Sequence, residues 1–220
     1  MINLNQLIIK FDYEQNFKDD DFYVSKSNEH IFSLIERWPK WEKNFLNIIG
    51  EKFSGKTHLI NIFLGRFKGL KIEAKSLNEK DLENVKINQN IVLENLDKDI
   101  NENLLYTLFN LIEQNHKYLI VTSKKPIVDL KFNLNDLKSR SKNFLLQQIE
   151  KPDDELIFAI ILKYLSDRQI SLDKKIIDFI VKRVDRSYGK IFDFLYKIDE
   201  VSLKNQKAID LKIIKKVLGA

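Results

Sequence analysis

One short stretch of the chain carries the residue types that hold phosphate groups. Residues 50–57 read GEKFSGKT, and Gly50, Gly55, Lys56 and Thr57 fit the pattern GxxxxGK(S/T) in full. Glycines let backbone amides turn toward phosphate oxygens, the lysine can reach the terminal phosphates, and the threonine hydroxyl suits a magnesium ion. The pattern therefore predicts a P-loop that binds a nucleotide together with Mg²⁺.

A second stretch, IVLENLD at residues 91–97, contains a candidate for the carboxylate on the metal side of such a site. Glu94 would approach the magnesium ion through water, and the alternative is a glutamate at a strand end that faces solvent. The next residue is Asn95, whose amide can orient a water molecule but cannot accept its proton. Slow hydrolysis by the chain itself is therefore expected, which favours a nucleotide-dependent switch over a motor or a kinase.

A third candidate is Arg140, in the stretch DLKSRSKNF, just before the last predicted strand. Judged from its neighbours alone, the favoured interpretation is a surface arginine that pairs with Asp136. A role in chemistry depends on the family resemblance described below.

The elements that must position these residues alternate between strands and helices as far as residue 151. The run NFLNIIG predicts a buried strand that feeds the P-loop, and the helix after it is expected to begin at the Lys56–Thr57 step. Further apolar runs are GLKIEA, NIVLENL, KYLIVTS and NFLLQQIE, with the helical pattern ENLLYTLFNLIEQN between two of them. This alternation predicts an α/β fold whose parallel sheet is covered by helices on both faces.

Beyond Pro152 the sequence has a helical pattern throughout. Four segments repeat apolar residues at helical spacing, and Asp153 and Ser171 are candidate N-caps of the first two. The predicted domains are an N-terminal arm at residues 1–20, a nucleotide-binding α/β domain at 21–151 and a small helical domain at 152–220.

Composition excludes several kinds of protein. The 220 residues are 44% hydrophobic and include no cysteine and three scattered histidines, so we expect a full core without disulfides or a histidine metal cluster, as suits a reducing cytoplasm. The net charge of +5 is spread among many acidic residues, and any DNA contact should be indirect or weak. Neither an export signal nor a membrane-spanning segment is indicated.

Together, the motifs resemble the DnaA-like branch of the AAA+ ATPases over nearly the whole chain. GEKFSGKTH is similar to the Walker A motif of that branch, IVLENL to its Walker B motif, LIVTSKKP to its sensor 1 strand, and LKSRS to its box with the arginine finger. DFYVSKSNE at 21–29 looks like the segment that lies against the adenine, and the helical tail matches the lid. The resemblance implies an AAA+ parallel sheet with a small all-α lid domain.

The resemblance also implies the site residues and their ligands. ADP or ATP with Mg²⁺ would be held by the P-loop, by the adenine segment and by a lid residue: Gly50, Ser54, Gly55, Lys56, Thr57, His58, Phe22, Tyr23, Val24, Asn28 and Lys190. Thr57 and Glu94 would serve the magnesium ion, with Glu94 as the Walker B acid. Arg140 would be an arginine finger that acts in trans on a neighbouring molecule.

Three positions depart from the family pattern. Glu94 replaces the usual Walker B aspartate, and Lys124 stands where relatives tend to carry an acid. The sensor 2 arginine of the lid falls on Gly189, with Lys190 beside it. Lys190 could act as a point charge, but it lacks the planar fork of a guanidinium.

The members of the branch that this chain resembles most are regulators that inactivate DnaA. They imply an ADP-bound protein that docks on the DNA polymerase sliding clamp and stimulates ATP hydrolysis by DnaA, so that replication initiation does not repeat. QLIIKF at residues 6–11 looks like a clamp-binding hexapeptide, with Gln6, Leu7, Ile9 and Phe11 as the side chains that enter the clamp. The alternative for this run is an edge strand or a packing arm.

Other interpretations stay open. A helicase-loader-like or freestanding AAA+ ATPase would work through its own turnover, and a DnaA-derived adaptor would lack clamp docking. A P-loop kinase is disfavoured, because such enzymes usually begin with the P-loop strand rather than with an arm. The chain ends at Ala220 directly after the lid pattern, which is expected to exclude the DNA-reading domain of DnaA. A homodimer is compatible with the sequence.

Overall fold

The protein is described from a computed structural model that covers residues 22–97, 99–205 and 209–219. The strands are β1 (Phe45–Ile49), β2 (Leu70–Glu73), β3 (Asn90–Leu96), β4 (Tyr118–Ser123) and β5 (Leu145–Gln148). The helices are α1 (Glu29–Glu36), α2 (Lys56–Phe67), α3 (Glu79–Ile87), α4 (Glu102–Gln114), α5 (Asn135–Ser141), α6 (Asp154–Asp167), α7 (Lys174–Val181), α8 (Tyr188–Asn205) and α9 (Leu211–Leu218). Each of the five apolar runs predicted as a strand forms one.

The five strands form one parallel sheet in the order β2-β3-β4-β1-β5. Because all strands run in the same direction, their carboxyl ends meet at one edge of the sheet. At this edge Ile49 of β1 lies opposite Ser123 of β4, and Glu73 of β2 lies opposite Glu94 of β3. The P-loop leaves β1 at this edge, so the sheet brings its first residue and Glu94 to the same side.

Helices cover both faces of the sheet, as the alternating pattern predicts. Successive side chains of a strand point to opposite faces, so Phe45 packs with α3, α4 and α5 whereas Leu46 packs with α1 and α2. The same alternation holds in β4, where Leu119 and Val121 face α4 and Ile120 faces α2. The predicted α/β fold is therefore confirmed.

The last four helices enclose an apolar core of their own, formed by side chains such as Ile161, Ile180, Leu195 and Ile214. Asp153 caps α6, because its carboxylate accepts a hydrogen bond from the Leu156 amide at 2.8 Å. The prediction of Ser171 as the cap of α7 is wrong. Asp173 has extended backbone directly before that helix and accepts from the Lys175 amide at 2.7 Å.

None of the helices in the described ranges combines the length and the apolar character needed to cross a bilayer.

Candidate functional site

The P-loop joins the carboxyl end of β1 to the first turn of α2, and a side chain at either of its two glycines would be strained or crowded. Gly55 caps α2 with a φ of 92°, a conformation that favours glycine. A Cβ atom at Gly50 would lie 2.5 Å from the Ser54 hydroxyl oxygen. The Gly50 amide donates to the Ser123 carbonyl at 3.1 Å, which ties the loop to β4.

Lys56 begins α2 and folds back over the loop. Its side chain is buried, and Nζ donates to the carbonyl oxygens of Gly50 and Glu51, both at 2.7 Å. The pKa of Lys56 is lowered to about 8, mainly by burial and then by the positive charge of Lys124. The negative charges of Glu94 and Glu51 act in the opposite direction and raise it. An incoming phosphate would offset the cost of burying this ammonium group.

Glu94 is buried at the end of β3, with 2% of its surface exposed. The alternative of a solvent-facing glutamate is therefore wrong. Oε2 lies 2.5 Å from Nζ of Lys71, and Oε1 has no hydrogen-bond partner among the described residues. The pairing of β3 with β4 is irregular between Leu93 and Leu96. Glu94 therefore lies where the regular hydrogen bonding between these two strands is interrupted.

Asn95 follows Glu94 with a φ of 58°, a left-handed conformation that asparagine tolerates. Its amide nitrogen donates to the Thr122 hydroxyl at 2.9 Å, and its side-chain Nδ2 donates to Oε2 of Glu73 at 3.1 Å. The side chain therefore braces β2 against β3, and an amide at this position provides no base.

Two buried polar atoms at the site lack partners among the described residues: Oγ of Ser54 and Oε1 of Glu94. Buried polar groups are normally hydrogen-bonded, so both suit a bound phosphate with its ion and waters. No three histidine, aspartate or glutamate side chains converge on a point within the described ranges. The residues thus fit a magnesium ion held mostly by phosphate oxygens and waters, with the Thr57 hydroxyl and Glu94 as its protein partners.

The predicted adenine segment lies beside the P-loop. The Phe22 ring stacks on Phe32 at 5.7 Å and meets His58 edge-on at 5.2 Å. A Cβ atom at Gly55 would lie 3.3 Å from the Phe22 ring. The structure therefore brings Phe22 and His58 to the P-loop, as the resemblance implies.

The other residues of the adenine segment have different environments. Tyr23 and Val24 are exposed, whereas Asn28 is buried and ties the segment together. Its Nδ2 donates to the Tyr23 carbonyl at 3.0 Å, and its Oδ1 accepts from the Ser25 amide at 2.9 Å. Asn28 thus shapes the segment and leaves Tyr23 and Val24 open to solvent.

The lid contacts the P-loop directly through residues that no motif singles out. The Ser187 hydroxyl donates to Oε2 of Glu51 at 2.8 Å, and the rings of Phe53 and Phe192 lie 4.8 Å apart. Lys190 lies in the first turn of α8 and is exposed. Ser187 and Phe192 are therefore two lid residues in contact with the loop.

Arg140 lies on α5, whose buried Leu137 packs on the sheet face opposite to α2. Its guanidinium pairs with Glu113 of α4 rather than with Asp136, and it lies 5.6 Å over the Tyr106 ring. These groups line a shallow cavity of about 320 Å³ together with Asp136, Ser139 and Asn143. Within this chain, Arg140 and the P-loop helix are thus on different faces of the sheet.

The predicted clamp-binding residues Gln6, Leu7, Ile9 and Phe11 lie outside the described residues.

Comparison with known proteins identifies relatives along most of the chain. The family model described as "Hda, lid domain" matches residues 153–218. An uncharacterized protein of Haemophilus influenzae is 24% identical over 91% of this chain and 92% of its own length. The chromosomal replication initiator protein DnaA of Helicobacter hepaticus is 25% identical over 90% of this chain and 49% of its own length. The chain spans about half the length of that DnaA.

Solved structures show the same fold. Domain III of the Thermotoga maritima replication initiation protein DnaA matches with a TM-score of 0.73 and 19% identity, over 92% of this chain and 95% of that one. AMPPCP-bound DnaA from Aquifex aeolicus matches with a TM-score of 0.64 and 18% identity, over 84% and 65% of the two chains. The lid match, the sequence relatives and the fold agree with the motifs, and each of them makes this chain similar to the DnaA-like branch of the AAA+ ATPases.

Proposed function

We propose that the chain is a cytoplasmic Hda-type regulator of replication initiation, which in its ADP-bound form stimulates ATP hydrolysis by DnaA. The observation that carries the proposal is the division of the chemistry over two places. The candidate phosphate site follows β1 and has the amide of Asn95 directly after its acid Glu94, whereas the candidate finger Arg140 lies on the other face of the sheet. Such an arrangement suits a protein that holds one nucleotide and acts on another.

Nucleotide binding is supported by Lys56 and by the Ser54 hydroxyl, which has no hydrogen-bond partner in the described part of the chain. A related fold in DnaA from Aquifex aeolicus holds AMPPCP. Retention of ADP without turnover is supported by Asn95, because its side chain is an amide that already donates to Glu73. With a nucleotide bound, Mg²⁺ would supply charge neutralisation of the phosphates.

Action on a partner is supported by the position of Arg140. Three-quarters of its side chain is covered, since 25% remains exposed, and it lines an open cavity. Glu113 neutralises it in the isolated chain and accepts its hydrogen bond. A polyphosphate brought into that cavity by DnaA would offer the guanidinium a more highly charged partner than this one carboxylate.

The test is ATP hydrolysis by DnaA in the presence of DNA-loaded sliding clamp, measured with and without this chain. We expect hydrolysis by DnaA to rise when the chain is added and turnover by the chain alone to be slow. Brisk turnover by the chain alone, with no effect on DnaA, would support the freestanding ATPase instead.

Clamp docking through the N-terminal arm is part of the proposal. We expect a peptide of residues 1–13 to bind the clamp, because an extended segment can order in a groove without folded support. Leu7→Ala with Phe11→Ala removes two apolar anchors worth about 1.5–3 kcal/mol each, so the affinity should fall at least about a hundredfold. Fluorescence anisotropy of the labelled peptide measures it. A fall in the melting temperature of the full chain carrying both changes, with clamp binding kept, would support the packing arm.

A further inference from the structure

Lys71 makes an ion pair with the candidate Walker B acid that the motifs do not reveal. It projects from β2, where it lies opposite Val92 of β3, two residues before Glu94. Val92 packs on the α2 face, and side chains two apart share a face. Nζ of Lys71 accordingly lies 2.5 Å from Oε2 of Glu94 and donates to Oδ1 of Asn61 on α2 at 3.4 Å.

This ion pair is largely enclosed on the carboxylate side. Glu94 has 3% of its side-chain surface exposed, whereas Lys71 has 39%. A buried carboxylate is costly unless it is paired, and Lys71 supplies the pairing charge. Lys71 thereby connects α2, which follows the P-loop, to the acid at the end of β3.

Charged side chains of both signs lie around Lys56. Lys56 and Lys124 act on each other, and Glu94 and Glu51 are the acids near Lys56. Glu94 is neutralised by Lys71, and Glu51 accepts a hydrogen bond from Ser187. Both acids that act on Lys56 are therefore already engaged by other side chains before any metal ion is added.

A free Walker B carboxylate repels the phosphates of a nucleotide, and the metal ion that bridges them removes this repulsion. In this chain the ammonium group of Lys71 already compensates the carboxylate. We propose that Lys71 is a built-in cation of the site that lets the chain bind a nucleoside diphosphate without Mg²⁺. The inference rests on the proposed nucleotide site and adds a property to it.

The experiment is calorimetric titration of the full chain with ADP, once in excess Mg²⁺ and once in EDTA. For the wild type, we expect the two Kd values to agree within about threefold, less than 0.7 kcal/mol. Lys71→Met keeps the length of the side chain and removes its charge, leaving Glu94 unpaired. Its Kd in EDTA should be at least about tenfold weaker than its Kd in Mg²⁺, because the metal ion must then supply the missing charge.

Lys86→Met is the matched control. Lys86 forms an exposed ion pair with Glu83 on α3 at 2.8 Å, so the substitution makes the same change in net charge. The Lys86 carbonyl accepts a hydrogen bond from Nζ of Lys117, the residue directly before β4. Lys86 therefore lies at the amino-terminal edge of the sheet, opposite to the P-loop. For Lys86→Met, the ratio of the Kd for ADP in EDTA to the Kd in Mg²⁺ should equal that of the wild type.

The outcomes separate the inference from the nucleotide site itself. Wild-type binding that weakens more than about tenfold in EDTA overturns the role of Lys71 and leaves the nucleotide site standing. If the ratio of the Kd in EDTA to the Kd in Mg²⁺ is the same for the wild type and Lys71→Met, the role of Lys71 is overturned as well. Absence of ADP binding to the wild type in both buffers refutes the nucleotide site, and the inference with it. Should Lys71→Met fail to fold in a thermal melt, Lys71→Gln, which removes the charge but keeps a hydrogen-bond donor for Glu94, replaces it in the same comparison.

Discussion

Lys56→Ala is expected to remove most ADP binding while the chain stays folded. The ammonium group lies inside the loop and donates to the Gly50 and Glu51 carbonyls. When a nucleotide binds, it can donate to a phosphate oxygen instead. A hydrogen bond to a charged group is worth about 1.5–3 kcal/mol, so loss of one or two such contacts should weaken ADP at least about tenfold and up to about ten-thousandfold. Calorimetry with ADP in Mg²⁺ measures the change.

Lys52→Ala provides the control from the same loop. Nζ of Lys52 lies 4.8 Å over the Phe53 ring, and the residue is exposed. This change removes the same charge from the loop, but it should alter the affinity for ADP by only a few fold, because long-range effects of exposed charges are screened. Undiminished binding by Lys56→Ala would refute the phosphate site assigned to this loop.

The pKa of Lys56 separates a binding role from a structural one. Because burial lowers that pKa to about 8, the folded state disfavours the charged lysine relative to the unfolded chain. The penalty is present at pH 7 and is relieved as the pH rises from about 8 toward the usual pKa of lysine. Lys56→Ala should therefore not lower the melting temperature at pH 7 as the loss of a stabilising ion pair would.

Much of the fold could be predicted because the strands carry their own signal. Phe45, Leu46 and Ile48 are apolar on both faces of β1, which is what a parallel strand under two layers of helices requires. The P-loop is equally local, since its glycines and Lys56 follow one another within eight residues of sequence. Local patterns of this kind need no knowledge of distant partners.

The contacts that set the electrostatics of the site could not be predicted in this way. Lys71 meets Glu94 only because β2 pairs with β3 in one register, and Ser187 meets Glu51 across 136 residues because the lid packs on the loop. A lysine in a strand or a serine before a helix carries no periodic signal of its partner. For the same reason the expected ion pair of Arg140 with Asp136 is wrong, and Arg140 pairs with Glu113 of α4 instead.

The cap of α7 is a smaller case of the same limit. Ser171 and Asp173 are both suitable cap residues, and only the backbone decides between them. Sequence patterns locate a helix better than they locate its first residue.

Arg140→Ala should abolish most of the stimulation of DnaA while leaving this chain intact. An arginine finger contributes about three to five powers of ten to phosphoryl transfer, or about 4–7 kcal/mol of transition-state stabilisation. A partly exposed ion pair with Glu113 is worth at most about 1 kcal/mol of stability. The two roles therefore differ widely in size and in the quantity that they affect.

The measurement is ATP hydrolysis by DnaA with loaded clamp, beside the melting temperature, ADP affinity and clamp affinity of each variant. Arg140→Ala should bring hydrolysis toward the unstimulated rate and keep the other three values, and Arg140→Lys should restore little because an ammonium group lacks the planar fork. Lys138→Ala is the control, since Lys138 is on the same helix and its ammonium group donates to Oδ1 of Asn135 at 3.2 Å rather than to Glu113. If Arg140→Ala stimulates DnaA as well as Lys138→Ala does, the guanidinium serves only its ion pair with Glu113, and the finger acting in trans is wrong.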